Sequence, residues 1–322
     1  MEYATFGRKG EKVSRIGLGA WQFSDAWGVT DYEKVKAVVG RAVELGINFF
    51  DTAMVYGNGL SEAVLGKALR ESGVKRDEVL VTTKIPADFL NPLDIAKAVE
   101  KSLKLLGLSY IDALLVHWPP VWHNYPTRVY ARALEKLVNM GLVRYLGLSN
   151  FPVELAESFR NNLSRVDVEV FQHRYNLIER WAEEEVIPYA ERCQITVQAW
   201  SPIAKGALTG KYTPDKLPKF TDIRAADPVF HSSNFPKVWE VVKLLKHIGE
   251  KYNKTQTQVA LNWLIGSSPV VVPIPGAKTP EQVNDLAGSV GWRLKLEDWR
   301  LLDEASRAVN ISYSIYYVES GL

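Results

Sequence analysis

Eight short β-rich runs alternate with helical patterns along most of the chain, and this alternation constrains the fold more than any other feature. The runs lie at 15–19, 47–51, 79–84, 110–117, 143–150, 168–172, 195–201 and 270–274. The segments between them carry apolar residues at helical spacing, several with a glycine near the C-terminal end. Because each parallel strand needs a crossover connection, such alternation predicts a parallel sheet.

Eight such units over residues 15–274 match the size of a closed (β/α)₈ TIM barrel of the α/β class. Ahead of them, "YATFGRKGEKVS" places a glycine between two alternating runs and predicts a β-hairpin that could cover the bottom of the barrel. No low-complexity linker interrupts the chain. We therefore expect residues 1–322 to form a single barrel domain with long loops at its C-terminal face.

Composition excludes several classes of protein. A 322-residue chain with 47% apolar and 24% charged residues is typical of globular proteins. The net charge of +2, without a run of five like charges, argues against a nucleic-acid partner. No signal-peptide core and no run of eighteen apolar residues occurs, so we expect a cytoplasmic protein without a membrane partner. The single Cys193 cannot form an internal disulfide, and we expect it to pack.

Four polar residues recur at intervals of 33, each at the end of a β-rich run. They are Asp51, Lys84, His117 and Asn150. A period of one βα unit would place them side by side on the C-terminal rim, where barrels of this type carry their sites. Burying an acid, a lysine and a histidine among apolar strand residues is costly unless they satisfy one another. The spacing therefore predicts a polar site.

Tyr56 follows Asp51 in the same loop and suggests acid–base chemistry. A phenol ionises near pH 10, too high for easy proton transfer, but a nearby Lys84 ammonium would lower its pKa by stabilising the phenolate. Asp51 would hold Lys84 charged, and a neutral His117 could orient a substrate carbonyl. None of these side chains can deliver hydride, so we expect a nicotinamide cofactor to supply it.

Two stretches resemble the signatures of a known family. "FDTAMVYGNGLSEAVLGKAL" and "VRYLGLSNF" are similar to those of the aldo-keto reductases, including the bacterial, archaeal and channel β-subunit-like branches. The resemblance implies reversible NAD(P)H-dependent reduction of an aldehyde or ketone to an alcohol by hydride transfer. It also implies a catalytic tetrad of Asp51, Tyr56, Lys84 and His117, with Tyr56 as proton donor.

The resemblance further implies a cofactor lying across the barrel mouth. Its nicotinamide would meet an amide cluster and the Trp200 ring, and its pyrophosphate the loop that follows. The positions implied are Ala20, Trp21, Asp51, Ser149, Asn150, Gln172, Trp200, Ser201, Pro202, Ile203, Ala204, Lys205, Gly206, Lys211 and Arg224. The last loop, "PIPGAKTPEQVND", adds Gly276, Ala277, Lys278, Gln282 and Asp285 as expected cofactor contacts.

No GxGxxG follows the first strand, which argues against a Rossmann site. In the last loop, Thr279 with the following proline predicts a helix N-cap, and Lys278 beside that helix favours an anion such as a 2′-phosphate. The sequence departs from better-known relatives at Gly276, Gln282 and Leu286, where many carry a phosphate-binding lysine, an arginine and an adenine-contacting asparagine. We expect NADP(H), with NAD(H) possible.

Aromatic residues near the rim predict an apolar substrate pocket. They are Trp21, Phe23, Trp27, Phe89, Trp118, Trp122 and Phe151. With no fixed charge among them, a neutral small-molecule carbonyl or alcohol is expected. His123 stands six residues after His117, which is not a metal-ligand spacing, so no metal is expected. Tyr313, Tyr316 and Tyr317 near the C-terminus could lie over the mouth or pack outside. The oligomeric state is left open.

Two other classes of function stay open at this stage. The first is an NADPH-binding regulatory subunit of the potassium-channel β type, against which His117 argues because such subunits can lack it. The second is a metal-dependent barrel hydrolase. That class needs several histidines or carboxylates on the rim, whereas this chain offers one histidine there.

Overall fold

The computed structural model describes residues 1–8, 10–28, 30–120 and 125–313. Within these ranges the strands are β1 (Tyr3–Phe6), β2 (Glu11–Ser14), β3 (Leu18–Gly19), β4 (Phe49–Asp51), β5 (Leu80–Ile85), β6 (Ile111–Val116), β7 (Val143–Ser149), β8 (Val168–Arg174), β9 (Thr196–Trp200) and β10 (Val271–Pro273). The α-helices are α1 (Tyr32–Glu44), α2 (Leu60–Glu71), α3 (Pro92–Leu106), α4 (Thr127–Asn139), α5 (Val153–Asn161), α6 (Val186–Cys193), α7 (Phe235–Tyr252), α8 (Gln256–Ser267), α9 (Pro280–Ala287) and α10 (Leu296–Arg307).

Strands β3 to β10 form one parallel sheet in which each strand pairs with its neighbour in the chain. The sheet closes where a parallel bridge joins Gly19 to Gly276, and the Gly19 amide donates to the Pro275 carbonyl at 2.9 Å. A Cβ on Gly19 would lie 2.8 Å from the Ile274 carbonyl oxygen, so glycine permits this close approach. The (β/α)₈ barrel predicted from the alternation is confirmed.

The N-terminal hairpin is also confirmed, since β1 and β2 pair antiparallel. Phe6 and Val13 from this hairpin pack in one cluster with barrel-interior residues that include Phe49, Leu115 and Val272. The Gly7 amide donates to the Thr196 hydroxyl, at the start of β9. The hairpin thus covers the N-terminal end of the barrel and leaves the opposite end for the site.

A second and larger core fills the layer between the sheet and the helices. Its strand residues alternate with those that point into the barrel, as the two-residue period of a strand requires. The first β-rich run is shorter than predicted, since only Leu18–Gly19 of 15–19 forms a strand. Among the described residues, no helix is both long and apolar enough to span a bilayer.

Near the C-terminus, the Tyr313 hydroxyl donates to Glu179 at 2.7 Å, and the Tyr313 ring lies 5.1 Å from that of Trp181. Tyr313 therefore packs on the segment after β8 and does not line the cleft at the barrel mouth. Tyr316 and Tyr317 lie outside the described residues.

Candidate active site

The four residues that recur every 33 positions stand at the C-terminal ends of neighbouring strands. Asp51 ends β4, Lys84 is the penultimate residue of β5, and His117 and Asn150 directly follow β6 and β7. The carboxyl ends of parallel strands lie on one rim of a barrel. Residues spaced by 33 positions at these strand ends therefore lie close together.

A continuous polar contact joins Tyr56 to Asp51 through Lys84. Lys84 is fully buried, and its Nζ donates to Asp51 Oδ2 at 2.8 Å and to the Thr52 carbonyl at 2.8 Å. The same Nζ lies 3.3 Å from the Tyr56 hydroxyl. On the other side, Gln172 Nε2 donates to Asp51 Oδ1 at 2.7 Å. A buried ammonium is thus held beside a phenol by one carboxylate and one carbonyl.

Desolvation dominates the acid–base properties of this group. It raises the pKa of the Tyr56 phenol above its ordinary value, and the Lys84 charge opposes this increase without cancelling it. The expectation that Lys84 brings the phenol pKa below 10 is therefore wrong for the protein alone. The cause is burial, which penalises the phenolate more than one adjacent cation stabilises it.

Burial also shifts the pKa values of Asp51 and Lys84, the two residues that are linked to Tyr56. Desolvation raises the pKa of the Asp51 carboxyl, against the pull of Lys84 and Gln172. For Lys84, desolvation alone would lower the pKa, but Asp51 and Tyr56 together raise it above its ordinary value. Lys84 is accordingly held in its charged form, as the sequence predicted.

His117 faces Tyr56 from the next strand end. The two rings lie 5.8 Å apart in an edge-to-face arrangement, and the Trp21 ring stacks on Tyr56 at 5.8 Å. Desolvation, with a smaller contribution from the Lys84 charge, lowers the pKa of His117 to about 3. The imidazole is therefore neutral near neutral pH and can act as a hydrogen-bond donor without a charge.

An amide cluster surrounds this centre. Asn150 Nδ2 donates to the His117 carbonyl at 3.1 Å, and Asn150 Oδ1 accepts from the Trp200 indole at 3.0 Å. Gln172 also donates to Gln198, whose Nε2 donates to Thr82 at 3.0 Å. Gln198 and Thr82 were missed by sequence reasoning, because a polar residue inside an apolar strand gives no sign of what it contacts.

The mouth of the barrel holds a cleft of about 490 Å³. Its described lining residues are Gly19, Trp21, Gln22, Trp27, Asp51, Val55, Tyr56, His117, Trp118, Ser149, Asn150, Gln172, Trp200, Ser201, Pro202, Ile203, Lys205, Gly206, Thr209, Lys211, Tyr212, Arg224, Thr257, Ile274, Pro275, Gly276, Lys278, Gln282, Asp285 and Leu286. Most of the residues predicted to contact a cofactor are among them.

Several predicted residues lie elsewhere. Ala20, Ala204 and Ala277 are buried beneath the lining, and Lys84 reaches the site only through its partners. Phe23 and Phe151 belong to the core between sheet and helices, and Phe89 is half exposed away from the cleft. Phe23 and Phe151 therefore do not form the pocket wall that the sequence predicted, because an apolar rim residue can equally point into the helix layer. Phe89 does not form it either, because its side chain is half exposed outside the cleft. Trp122 lies outside the described residues.

The loop after β9 contains several residues with left-handed backbone conformation. Ser201, Ala204 and Lys205 have φ angles of 49°, 47° and 52°, a conformation that non-glycine residues rarely adopt. The loop is anchored by Lys205, whose Nζ lies 2.5 Å from Asp227, and Asp227 is also paired with Arg174 at 3.0 Å. Such strain persists only where the surroundings impose it and is common at ligand-binding loops.

Three cations gather at the far end of the cleft. Burial lowers the pKa of Lys278, and the charges of Arg224 and Lys211 lower it further. Arg224 pairs with Asp222 through two contacts of 2.8 and 2.5 Å, and Lys278 Nζ donates to the Trp27 carbonyl at 2.8 Å. Mutual repulsion of this kind is relieved by binding an anion.

The last loop begins α9 as predicted, with Thr279 as N-cap accepting from the Gln282 amide. At Gly276, a Cβ would collide with the side chain of Gln22. Gln22 thus fills the space that a larger residue at position 276 would need. Sequence reasoning missed Gln22, since loop residues follow no periodic pattern. The described residues contain no group of three or more His, Cys, Asp or Glu side chains able to hold a metal ion.

Comparison with known proteins assigns the family. Residues 15–307 match the model of the aldo/keto reductase family. The chain belongs to the aldo/keto reductase family. It is 35% identical to the aldo-keto reductase YhdN of Bacillus subtilis over 308 residues, which cover 92% of this chain and 91% of YhdN. The family resemblance stated from the two signatures is confirmed.

Further relatives of this aldo/keto reductase family member differ in their described roles. A protein of Schizosaccharomyces pombe described as a putative voltage-gated potassium channel subunit beta is 32% identical, covering 86% of this chain and 84% of that protein. The solved structure of the glycerol dehydrogenase AKR11B4 from Gluconobacter oxydans superposes with a TM-score of 0.86 at 31% identity, covering 96% of both chains. Enzymes of the family use nicotinamide nucleotides and act on small-molecule carbonyl or alcohol substrates.

Proposed function

We propose that this protein reduces a neutral aldehyde or ketone to the alcohol, reversibly, with NADP(H) as the favoured nucleotide and Tyr56 as the proton donor. The observation that carries the proposal is the contact of the Tyr56 hydroxyl with the buried Lys84 ammonium, 3.3 Å away at the edge of the cleft. A phenol that is neutral before the reaction and has a cation beside it can release a proton when negative charge develops nearby.

Each residue of the site has a separate role in the proposed reaction. When bound, the reduced nicotinamide supplies the hydride that the carbonyl carbon receives. Tyr56 donates its proton to the carbonyl oxygen, and Lys84 stabilises the phenolate that remains. Asp51 holds the Lys84 ammonium at 2.8 Å. We expect the neutral imidazole of His117, whose ring lies 5.8 Å from that of Tyr56, to donate a hydrogen bond to the same oxygen.

The cleft also suits the nucleotide. The Trp200 indole, fixed by Asn150, offers an aromatic face beside the amides of Gln172 and Asn150. Most residues from Ser201 to Gly206 line the cleft, and we expect phosphate oxygens to accept from the backbone amides of this loop that are not bonded within it. Lys278, Arg224 and Lys211 form a cationic end that favours the 2′-phosphate of NADP(H) over NAD(H).

Aromatic walls near Tyr56 favour a neutral substrate. Trp21 stacks on Tyr56, and Trp118 lines the cleft next to His117 and is half exposed. Trp27 packs against Trp21 and connects this wall to the cationic end, where Arg224 and Lys278 lie 5.4 and 5.3 Å from its ring. Flat apolar surfaces of this kind contribute hydrophobic contact and stacking but no partner for a carboxylate or phosphate.

The test is a panel of neutral aldehydes and ketones with NADPH and with NADH, followed through the absorbance of the reduced nicotinamide. The proposal predicts turnover of at least one apolar carbonyl compound and a lower KM for NADPH. A regulatory NADPH-binding subunit is the second candidate, favoured by the 32% identity to the channel β-type protein. Tight NADPH binding without turnover of any carbonyl would favour that role and contradict catalysis.

A further inference from the structure

Two consecutive buried polar residues in the first turn of α2, Ser61 and Glu62, contact residues that are direct neighbours of Asp51 and Lys84. Helix α2 starts at Leu60, immediately after the turn Tyr56–Gly59 that carries the proposed proton donor. Both side chains are almost completely buried. Neither takes part in the chemistry described above, and the helical pattern that predicted α2 gives no reason for polar groups on its inner face.

Glu62 reaches the strand that carries Lys84. Its Oε1 accepts from the Thr83 hydroxyl at 2.7 Å and from the Ser102 hydroxyl on α3 at 2.7 Å. Thr83 directly precedes Lys84 in β5, and its side chain points to the opposite face of the strand, because successive residues alternate. The Glu62 contact therefore holds β5 from the helix side while Lys84 projects into the site.

Ser61 does the same for the strand that carries Asp51. Its hydroxyl lies 2.9 Å from that of Thr52 and donates to the Ala20 carbonyl at 2.7 Å. Thr52 directly follows Asp51, and its own carbonyl accepts from Lys84. The start of α2 is thus tied to β5 by Glu62 and to the end of β4 by Ser61.

Burying the polar side chains of Ser61 and Glu62 costs free energy, and this cost needs an explanation. The second oxygen of Glu62 has no hydrogen-bond partner among the described residues, and burial raises the pKa of its carboxyl. An apolar residue would avoid that cost if α2 needed only to pack. Gly66, one turn further, already allows tight packing, since a Cβ there would collide with the Leu106 backbone of α3.

We propose that Ser61 and Glu62 are positioning residues that fix the turn bearing Tyr56 against the strands bearing Asp51 and Lys84. The inference rests on the proposed role of Tyr56. The turn needs such fixing because Gly57, Asn58 and Gly59 all have positive φ angles, so its own backbone does not define one preferred path. A loosened turn lets the phenol move away from the ammonium, and the phenol pKa then rises under desolvation alone.

The decisive variants separate the two contacts of Glu62. Thr83→Val removes its contact with β5, Thr83→Ser retains a hydroxyl there, and Ser102→Ala removes only the contact with α3, which carries no residue of the site. For Thr83→Val we expect kcat to fall by roughly 10- to 100-fold with an unchanged Kd for NADPH. Thr83→Ser should recover most of the rate, and Ser102→Ala should match the wild type in kcat while losing thermal stability.

A second readout does not depend on turnover. The ionisation of Tyr56 can be followed by phenolate absorbance, as the difference between each variant and the same variant carrying Tyr56→Phe. Among the described residues, the titratable groups that act on or contact the Tyr56 phenol are Lys84, Asp51 and His117, and all three stay in every variant. For Thr83→Val we expect the Tyr56 pKa to rise by about one unit relative to Ser102→Ala.

Ser61→Ala serves as the second variant if Thr83→Val does not fold, and the same upward shift is expected. Equal Tyr56 pKa values in the Thr83, Ser102 and Ser61 variants would overturn the inference, whether or not the protein is active. A shift in a protein that turns over no carbonyl compound would support the positioning role and contradict the proposed function instead.

Discussion

The Nζ atom of Lys84 lies within 3.3 Å of the Tyr56 hydroxyl and within 2.8 Å of Asp51 Oδ2, so one buried ammonium bridges a phenol and a carboxylate. Removing a partner from a buried charge is costly, which makes the three groups depend on one another. The proposed chemistry uses this dependence. When Tyr56 gives up its proton, the negative charge left on the phenolate is balanced by the Lys84 ammonium beside it.

Lys84→Met is expected to reduce kcat by roughly 10²- to 10⁴-fold and to shift its pH dependence. The Lys84 charge lowers the phenol pKa against desolvation, so its loss raises that pKa further. In the direction of alcohol oxidation, which needs the phenolate, the rising limb of the pH profile should move to higher pH. Lys67→Met, a change of a partly exposed lysine on α2, is the control, and an unmoved limb in Lys84→Met would contradict the assigned role.

His117 is expected to act without changing its charge. With a pKa of about 3, its imidazole is neutral throughout the range of about pH 5 to 8. Rate measurements across this range should show no ionisation near the ordinary value of a histidine, while His117→Ala lowers kcat/KM at every pH. A step near pH 6.5 that disappears in His117→Ala would show that the imidazole titrates in solution, against the neutral donor described here.

Arg224 and Asp222 are expected to set the preference between nucleotides. Arg224→Ala should weaken NADPH binding by roughly 10- to 100-fold and NADH binding much less, because only NADPH carries the additional phosphate. Asp222→Asn should strengthen NADPH binding, since it frees the Arg224 guanidinium from a paired carboxylate. Quenching of tryptophan fluorescence measures both constants without turnover. Equal losses for the two nucleotides in Arg224→Ala would place the 2′-phosphate elsewhere.

Glu135 on α4 offers a test of stability far from the chemistry. Desolvation opposes its ionisation, but hydrogen bonds from the Arg165 and Ser164 amides and from Arg132 lower its pKa to about 2. Glu135→Gln should cost about 1–3 kcal/mol of unfolding free energy at neutral pH. Because the folded pKa lies below the ordinary 4.5, this contribution is complete above pH 4.5 and fades as pH falls toward 2.

Denaturant unfolding at neutral pH and near pH 3 measures this difference. The gap between the wild type and Glu135→Gln should narrow at the lower pH, and the exposed Glu154→Gln should show no gap at either. A gap that stays constant would show that the Glu135 charge does not contribute to stability.

The fold and the centre of the site could be predicted from sequence because both follow from a period. Strand–helix alternation predicted the barrel, and the interval of 33 brought Asp51, Lys84 and His117 to one rim. Loop residues such as Gln22 follow no period, and the direction in which Phe23 and Phe151 point depends on packing that the sequence does not display. The pKa of Tyr56 was expected in the wrong direction, since the amount of water excluded from a site is a property of the assembled fold.

Polar residues inside regular elements were the other omission. Gln198 in β9 and Glu62 in α2 occupy positions that strand and helix patterns assign to the core. Gln198 contacts Gln172, 26 positions away along the chain, and Glu62 contacts Thr83, 21 positions away. Only the three-dimensional arrangement shows that each contact lies next to a residue of the site.

The central claim is that the Tyr56 hydroxyl transfers the proton, and Tyr56→Phe tests it most directly, because the change removes one oxygen and keeps the ring contacts with Trp21 and His117. The experiment measures kcat for the best carbonyl compound and the Kd for NADPH, with Tyr3→Phe as the exposed control. The account predicts loss of nearly all turnover, roughly 10²- to 10⁴-fold, with unchanged NADPH binding. A Tyr56→Phe protein that binds NADPH and retains most of the wild-type rate would contradict it.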